Sequence, residues 1–196
     1  MVEALSNPAV AERWEELSAL EGYTVGGLAA HTARSIRTVL ICLEGPEPGG
    51  ALINPAEYFL NGLGDDDPVD SDLHRSIRQR AVDVAAAGPA QLMDSASSDL
   101  AVLTDRLATT PERTVEVFGG AAMALSDYLV TRLVEIVVHL DDLAHSIGDD
   151  LPPPPGDAID LTLATLFEIA VARSGANAMM RALSRVERTS DFPRAF

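Results

Sequence analysis

Glu135 and His139 stand four residues apart in the run Glu135-Ile136-Val137-Val138-His139. On a helix that spacing puts a carboxylate and an imidazole one turn apart on the same side. Both are donors suited to a divalent ion such as zinc, and each is costly to bury without a partner. Meeting on one ion would satisfy both, although Glu and His one turn apart also make ordinary exposed polar contacts. His31, beside the apolar stripe of an earlier helix between Leu28 and Ser35, supplies a third donor if the two helices face each other. The alternative for His31 is a buried imidazole bonded to a carbonyl. Three protein ligands leave a position open for water or substrate, the arrangement of a catalytic zinc site. Asp142, three residues beyond His139, is placed to orient that imidazole or to act as an acid or base, and Arg132 to orient substrate or help move a proton.

Those side chains need elements that hold them. Tyr128, Arg132, Glu135, His139, Asp142 and Ser146 recur every three or four residues as a polar ridge. The ridge flanks an apolar stripe of Leu125, Leu129, Leu133, Ile136, Leu140, Leu143 and Ile147, so a largely buried helix is expected, capped by Ser126 and stopped at Gly148. His31 belongs to a helix capped by Thr24 and ending near Gly45 and Pro46. Before it, a first helix is expected from Ser6 or Asn7 through Trp14 and Leu17 to Leu20. Residues 44–71, rich in Gly, Pro and Asp, read as one long loop between the second and third helices, with a short helical turn over 56–60. A helical region over 71–108 is interrupted at Gly88-Pro89. Residues 114–118 form a brief extended stretch, and a last helix capped by Asp157 runs to Val186, followed by a frayed tail from Arg188. The sum is an all-α bundle forming a single domain over residues 1–196.

Composition agrees and excludes several classes. Hydrophobic residues make up 47% and aromatics 5%, a balance that suits helices. A net charge of −16 repels a phosphate backbone and anionic lipid, and no apolar run reaches the roughly 20 residues of a membrane span, so no nucleic acid and no membrane are expected as partners. The N-terminus lacks the basic and apolar regions of a signal peptide, which suggests a cytoplasmic protein. Cys42 is the sole cysteine, so no internal disulfide and no four-cysteine zinc site can form; it reads as a core residue. His74 and His145 read as solvated, and the aspartates at 65–67 as a solvated loop lacking the glycine and glutamate of an EF-hand. Met179, Met180 and Leu183 read as core or as the seam of a homodimer.

Two segments carry a family resemblance. Trp14 and Ser18 with Tyr23-Thr24-Val25-Gly26-Gly27-Leu28-Ala29-Ala30-His31, and the run from Arg132 through Glu135, His139 and Asp142 to Leu143, resemble the mycothiol-dependent maleylpyruvate isomerase N-terminal domain family. That family lies within the DinB-like metal-binding four-helix bundles. The resemblance implies zinc held by His31, Glu135 and His139, an active-site role for Asp142, and mycothiol as thiol cosubstrate, activated as a metal-bound thiolate. It also implies that the C-terminal domain of the full-length isomerase, with its active-site arginine, is absent. Where many members carry an aromatic within the His-x-x-Asp segment, this chain has Leu140 and Asp141. The expected function is a zinc-dependent isomerase or thiol S-transferase acting on a small electrophile. The alternatives are a non-enzymatic metal-binding interaction protein and a zinc-dependent small-molecule hydrolase.

Overall fold

The computed structural model describes residues 1–63, 71–184, 187 and 195. The aspartates at 65–67 and the tail assigned from Arg188, apart from Ala195, lie outside the described residues. Two short helices, α1 (Val2–Leu5) and α2 (Pro8–Glu12), open the chain. The longer first helix expected from the sequence stops at Glu12, because the next twelve residues build the entry to α3 (Val25–Glu44). A helix start leaves its first amides without intrahelical acceptors. Here Val25 N–H donates to Glu16 O and Gly26 N–H to Trp14 O, each at 2.9 Å, while Gly27 N–H reaches the Thr24 hydroxyl at 3.0 Å. Trp14 is thereby buried against α3, its indole N–H donating to Ala85 O at 3.1 Å. Only glycine fits at position 26, since a Cβ there would lie 2.4 Å from the indole.

The long connection after α3 is not all loop. It contains α4 (Pro55–Leu63), longer than the expected turn, started by a reciprocal cap. Glu57 N–H donates to the Asn54 side chain at 2.9 Å, and Asn54 N–H to the Glu57 carboxylate at 2.8 Å. Gly88-Pro89 separates α5 (Asp72–Ala85) from α6 (Pro89–Thr109). The extended stretch becomes a small antiparallel hairpin, β1 (Thr114–Glu116) with β2 (Ala122–Ala124), whose Val115–Met123 pair is fully buried. Then come α7 (Leu125–Ile147), α8 (Gly156–Ser174) and α9 (Ala176–Ser184).

Two expected caps differ. The helix α7 starts at Leu125, and the Ser126 amide donates to the Glu112 carboxylate at 3.2 Å instead of Ser126 capping with its own side chain. Asp157 sits inside the first turn of α8, accepting from Ala158 N–H at 2.9 Å. The expected last helix breaks at Gly175 into α8 and α9; Met179 is core, whereas Met180 and Leu183 are exposed.

The result is an all-α helical bundle with α3 at its centre, packed on α5, α6 and α7, while α7 also packs on α8. Midway along α7 the buried positions are Tyr128, Thr131 and Val134, not Leu129, Leu133 and Ile136. That segment therefore buries the side of the helix that carries the polar ridge, because the ridge faces α3. Among the described residues, no helix is long and apolar enough to cross a membrane.

Candidate metal centre

Helices α3 and α7 cross so that His31, on the second turn of α3, meets Glu135 and His139 near the middle of α7. One ligand-capable atom from each lies within 4.8 Å of the other two. Glu135 Oε2 is 3.3 Å from His139 Nε2 and 3.5 Å from His31 Nε2. These separations exceed the roughly 2.7–2.9 Å of a charge-assisted N–H···O bond. Donors about 2.0–2.1 Å from a tetrahedral zinc lie about 3.3–3.4 Å apart, so the spacing suits one shared ion. The nitrogen and carboxylate donor set suits zinc as well. Side-chain exposures of 13–22% leave the group reachable from solvent.

The electrostatics follow from the same contacts. Burial pushes the Glu135 carboxyl up, but its two imidazole neighbours and the Arg132 guanidinium outweigh that and hold it well below the usual carboxylate range. Burial pulls His139 down, yet Asp142 and Glu135 together push it up to about 9. The bond from His139 Nδ1 to Asp142 Oδ2 is 3.0 Å, which leaves Nε2 aimed at Glu135. This carboxylate–histidine arrangement raises the basicity of a ligand nitrogen and sets its ring orientation. His31 has no such support: its Nδ1 is buried without a hydrogen-bond partner among the described residues. Its ring packs instead against Tyr23, 5.5 Å between centroids, and edge-on to His139 at 4.9 Å.

Arg132, expected to face substrate, is engaged by the protein. It donates to Tyr58 Oη at 2.9 Å and to the Thr131 hydroxyl at 3.1 Å, and its guanidinium lies 5.2 and 5.0 Å from the Tyr58 and Tyr128 rings. Cys42 lies apart, donating to Glu116 O on β1 at 3.3 Å, and burial pushes its thiol up. His74 pairs with the Ser71 hydroxyl at 2.7 Å at the start of α5, so it is engaged where free solvation was expected. His145 lines an acidic cleft at the end of α7 with Asp141, Asp142, Asp149 and Asp150.

Sequence reasoning missed two residues near the centre. Tyr58 was hidden because α4 was read as loop, although Asn54-Pro55-Ala56-Glu57 carries a capping-box pattern that could have revealed it. Arg34 lies one turn beyond His31 on the same side of α3, a spacing visible in the sequence.

The family model described as mycothiol maleylpyruvate isomerase N-terminal domain matches residues 2–144. Among solved structures, the crystal structure of the mycothiol-dependent maleylpyruvate isomerase superposes with a TM-score of 0.52 at 19% identity, over 92% of this chain and 68% of that one. No curated protein matches the chain.

Proposed function

Because the chain belongs to the mycothiol maleylpyruvate isomerase N-terminal domain family, we propose that it is a zinc-dependent enzyme using a low-molecular-weight thiol, mycothiol, to isomerise or thiolate a small electrophile. The observation that carries this reading is the convergence of His31, Glu135 and His139 with Asp142 behind His139. A zinc ion held by those three side chains would supply the positive charge that lets a thiol ionise at neutral pH.

The chain's own residues supply the rest. Asp142 fixes the ring of His139 and keeps its Nε2 directed at Glu135. Arg132, held by Tyr58, lends positive charge to Glu135 and keeps that carboxylate ionised. Tyr23, pushed up to about 12 chiefly by burial, retains its proton and can donate a hydrogen bond beside His31. The chain brings no thiol to the centre, since Cys42 is its sole cysteine and is bonded to the hairpin. A nucleophilic sulfur must therefore come from a cosubstrate.

The test is elemental analysis of protein purified without a histidine tag, followed by calorimetric titration with mycothiol. One zinc per chain and thiol binding that disappears in His139→Ala are expected. Zinc-loaded protein with no affinity for the thiol overturns the enzyme reading and leaves a metal-binding module.

A further inference from the structure

The chain has 30 acidic residues against 14 basic ones, and every basic one is arginine. Of the eleven described arginines, four pair with a carboxylate, Arg13 with Glu16, Arg37 with Asp99, Arg75 with Asp72 and Arg113 with Glu47, and four more, Arg80, Arg106, Arg132 and Arg173, donate to a hydroxyl or a backbone carbonyl. Arg34, Arg78 and Arg181 have neither an ion pair nor a hydrogen bond among the described residues, although the chain is rich in acid, and Arg80 has only the Ser76 hydroxyl, at 3.2 Å.

Arg34 on α3 and Arg78 and Arg80 on α5 belong to helices that pack on each other on the Tyr23 side of His31. Arg34, half-buried, follows His31 by one turn of α3. Its charged neighbours are the like charges of Arg80 and Arg132, and burial with that repulsion lowers its pKa. Arg78, also half-buried, crosses Gly22: a Cβ there would lie 2.9 Å from Arg78 Cδ, and Gly22 has a φ of +82°. The next residue is Tyr23, which packs on His31 and whose phenol feels the charges of both Arg78 and Arg80. Partly desolvated guanidinium groups kept together without an acid repel one another and lose hydration. An oxyanion placed among them reverses both costs, and the planar fork of arginine matches a carboxylate or phosphate through paired hydrogen bonds. The cleft at the C-terminal end of α7 is acidic, so an anionic group is directed to the arginine side.

We propose that Arg34 and Arg78, with Arg80 at the rim, form a receptor for an oxyanion group of the substrate and thereby set which end of it faces the metal centre. The location rests on the metal-centre reading above; the arginine cluster does not. The probes are succinate and sulfate, titrated calorimetrically into zinc-loaded and metal-free protein whose zinc content and helicity are measured in the same samples. Wild type is expected to bind at least one anion saturably, with Kd weakened about tenfold in Arg34→Gln and in Arg78→Gln. Arg34→Lys should fall between, because it keeps the charge and loses the fork. Arg37→Gln, which alters an arginine paired with Asp99, should bind as wild type does. Tighter succinate than sulfate binding identifies a carboxylate; the reverse identifies a tetrahedral oxyanion such as a phosphate ester. The proposal is overturned if neither anion saturates wild type, or if the folded Arg34 and Arg78 variants bind both anions unchanged. Failure to take up zinc defeats the metal reading instead, and the metal-free titration still decides the arginine receptor.

Discussion

His139 on α7 and His31 on α3 face the same oxygen of Glu135, at 3.3 and 3.5 Å, yet the two imidazoles are held by different means. His139 is tied through Nδ1 to Asp142, one turn away on its own helix. Its aim follows from residues three and four positions apart, which any regular helix brings together. His31 Nδ1 has no protein partner among the described residues, and its aim depends on Tyr23 and on where α3 sits. One half of the centre is thus organised by local spacing and the other by packing. Disturbing the helix–helix contact should cost the first half little and the second half its place.

Four substitutions and two pH profiles bear on that contrast. The largest effect is expected from His139→Ala, which should lower zinc affinity on the order of 10³-fold or more with helicity retained. Competition against a chelator measures it, and full zinc occupancy would contradict the ligand assignment. Asp142→Asn should weaken zinc binding by about 10–100-fold, because it removes the carboxylate that orients His139. By comparison, Tyr23→Leu should weaken it by about threefold or less, the scale of a lost packing neighbour. Equal losses in the two variants would erase the distinction between the two imidazoles.

Gly26→Ala tests the packed half directly. The added methyl must displace Trp14, and urea unfolding should report a loss of roughly 1–3 kcal/mol. The remaining effect is one of pH. The proton on His139, pushed up to about 9, competes with the ion, so zinc affinity should rise about tenfold from pH 7 to pH 8 and level off above 9. In metal-free protein the same raised value stabilises the fold below the ordinary 6.5 and is lost as pH rises through about 9. The lowered value of Glu135 acts in the other direction: its contribution is present above the ordinary 4.5 and is lost as pH falls through the lowered value. The metal-free protein should therefore gain most from this pair between those two ordinary values, and a stability profile flat from pH 4 to pH 9 would remove the pair from the account.

Much of the centre was legible because it lies on one helix. The Glu135, His139 and Asp142 spacing is a statement about helical geometry, and α7 ends at Ile147 as its pattern predicts. Thr24 caps α3 as expected, which puts His31 on the second turn. Less legible was the segment from Arg13 to Leu20. Its pattern reads as helix, but its carbonyls serve better as acceptors for the first amides of α3 than for its own. The side of α7 that is buried at mid-helix was also misjudged. Hydropathy ranks Leu133 and Ile136 above Tyr128 and Thr131, and it carries no information about which neighbour covers which side.

Which donors the chain owns, their order along two amphipathic helices, and the lack of a second cysteine were settled by the amino-acid sequence, since helical pitch and side-chain chemistry are local properties. That His31 meets Glu135, that Arg132 is engaged by Tyr58, and that Arg78 lies against Gly22 was decided by the tertiary structure. Each of those pairs joins residues far apart in the chain, and only the way the helices pack chooses among the partners that the same side chains could have had.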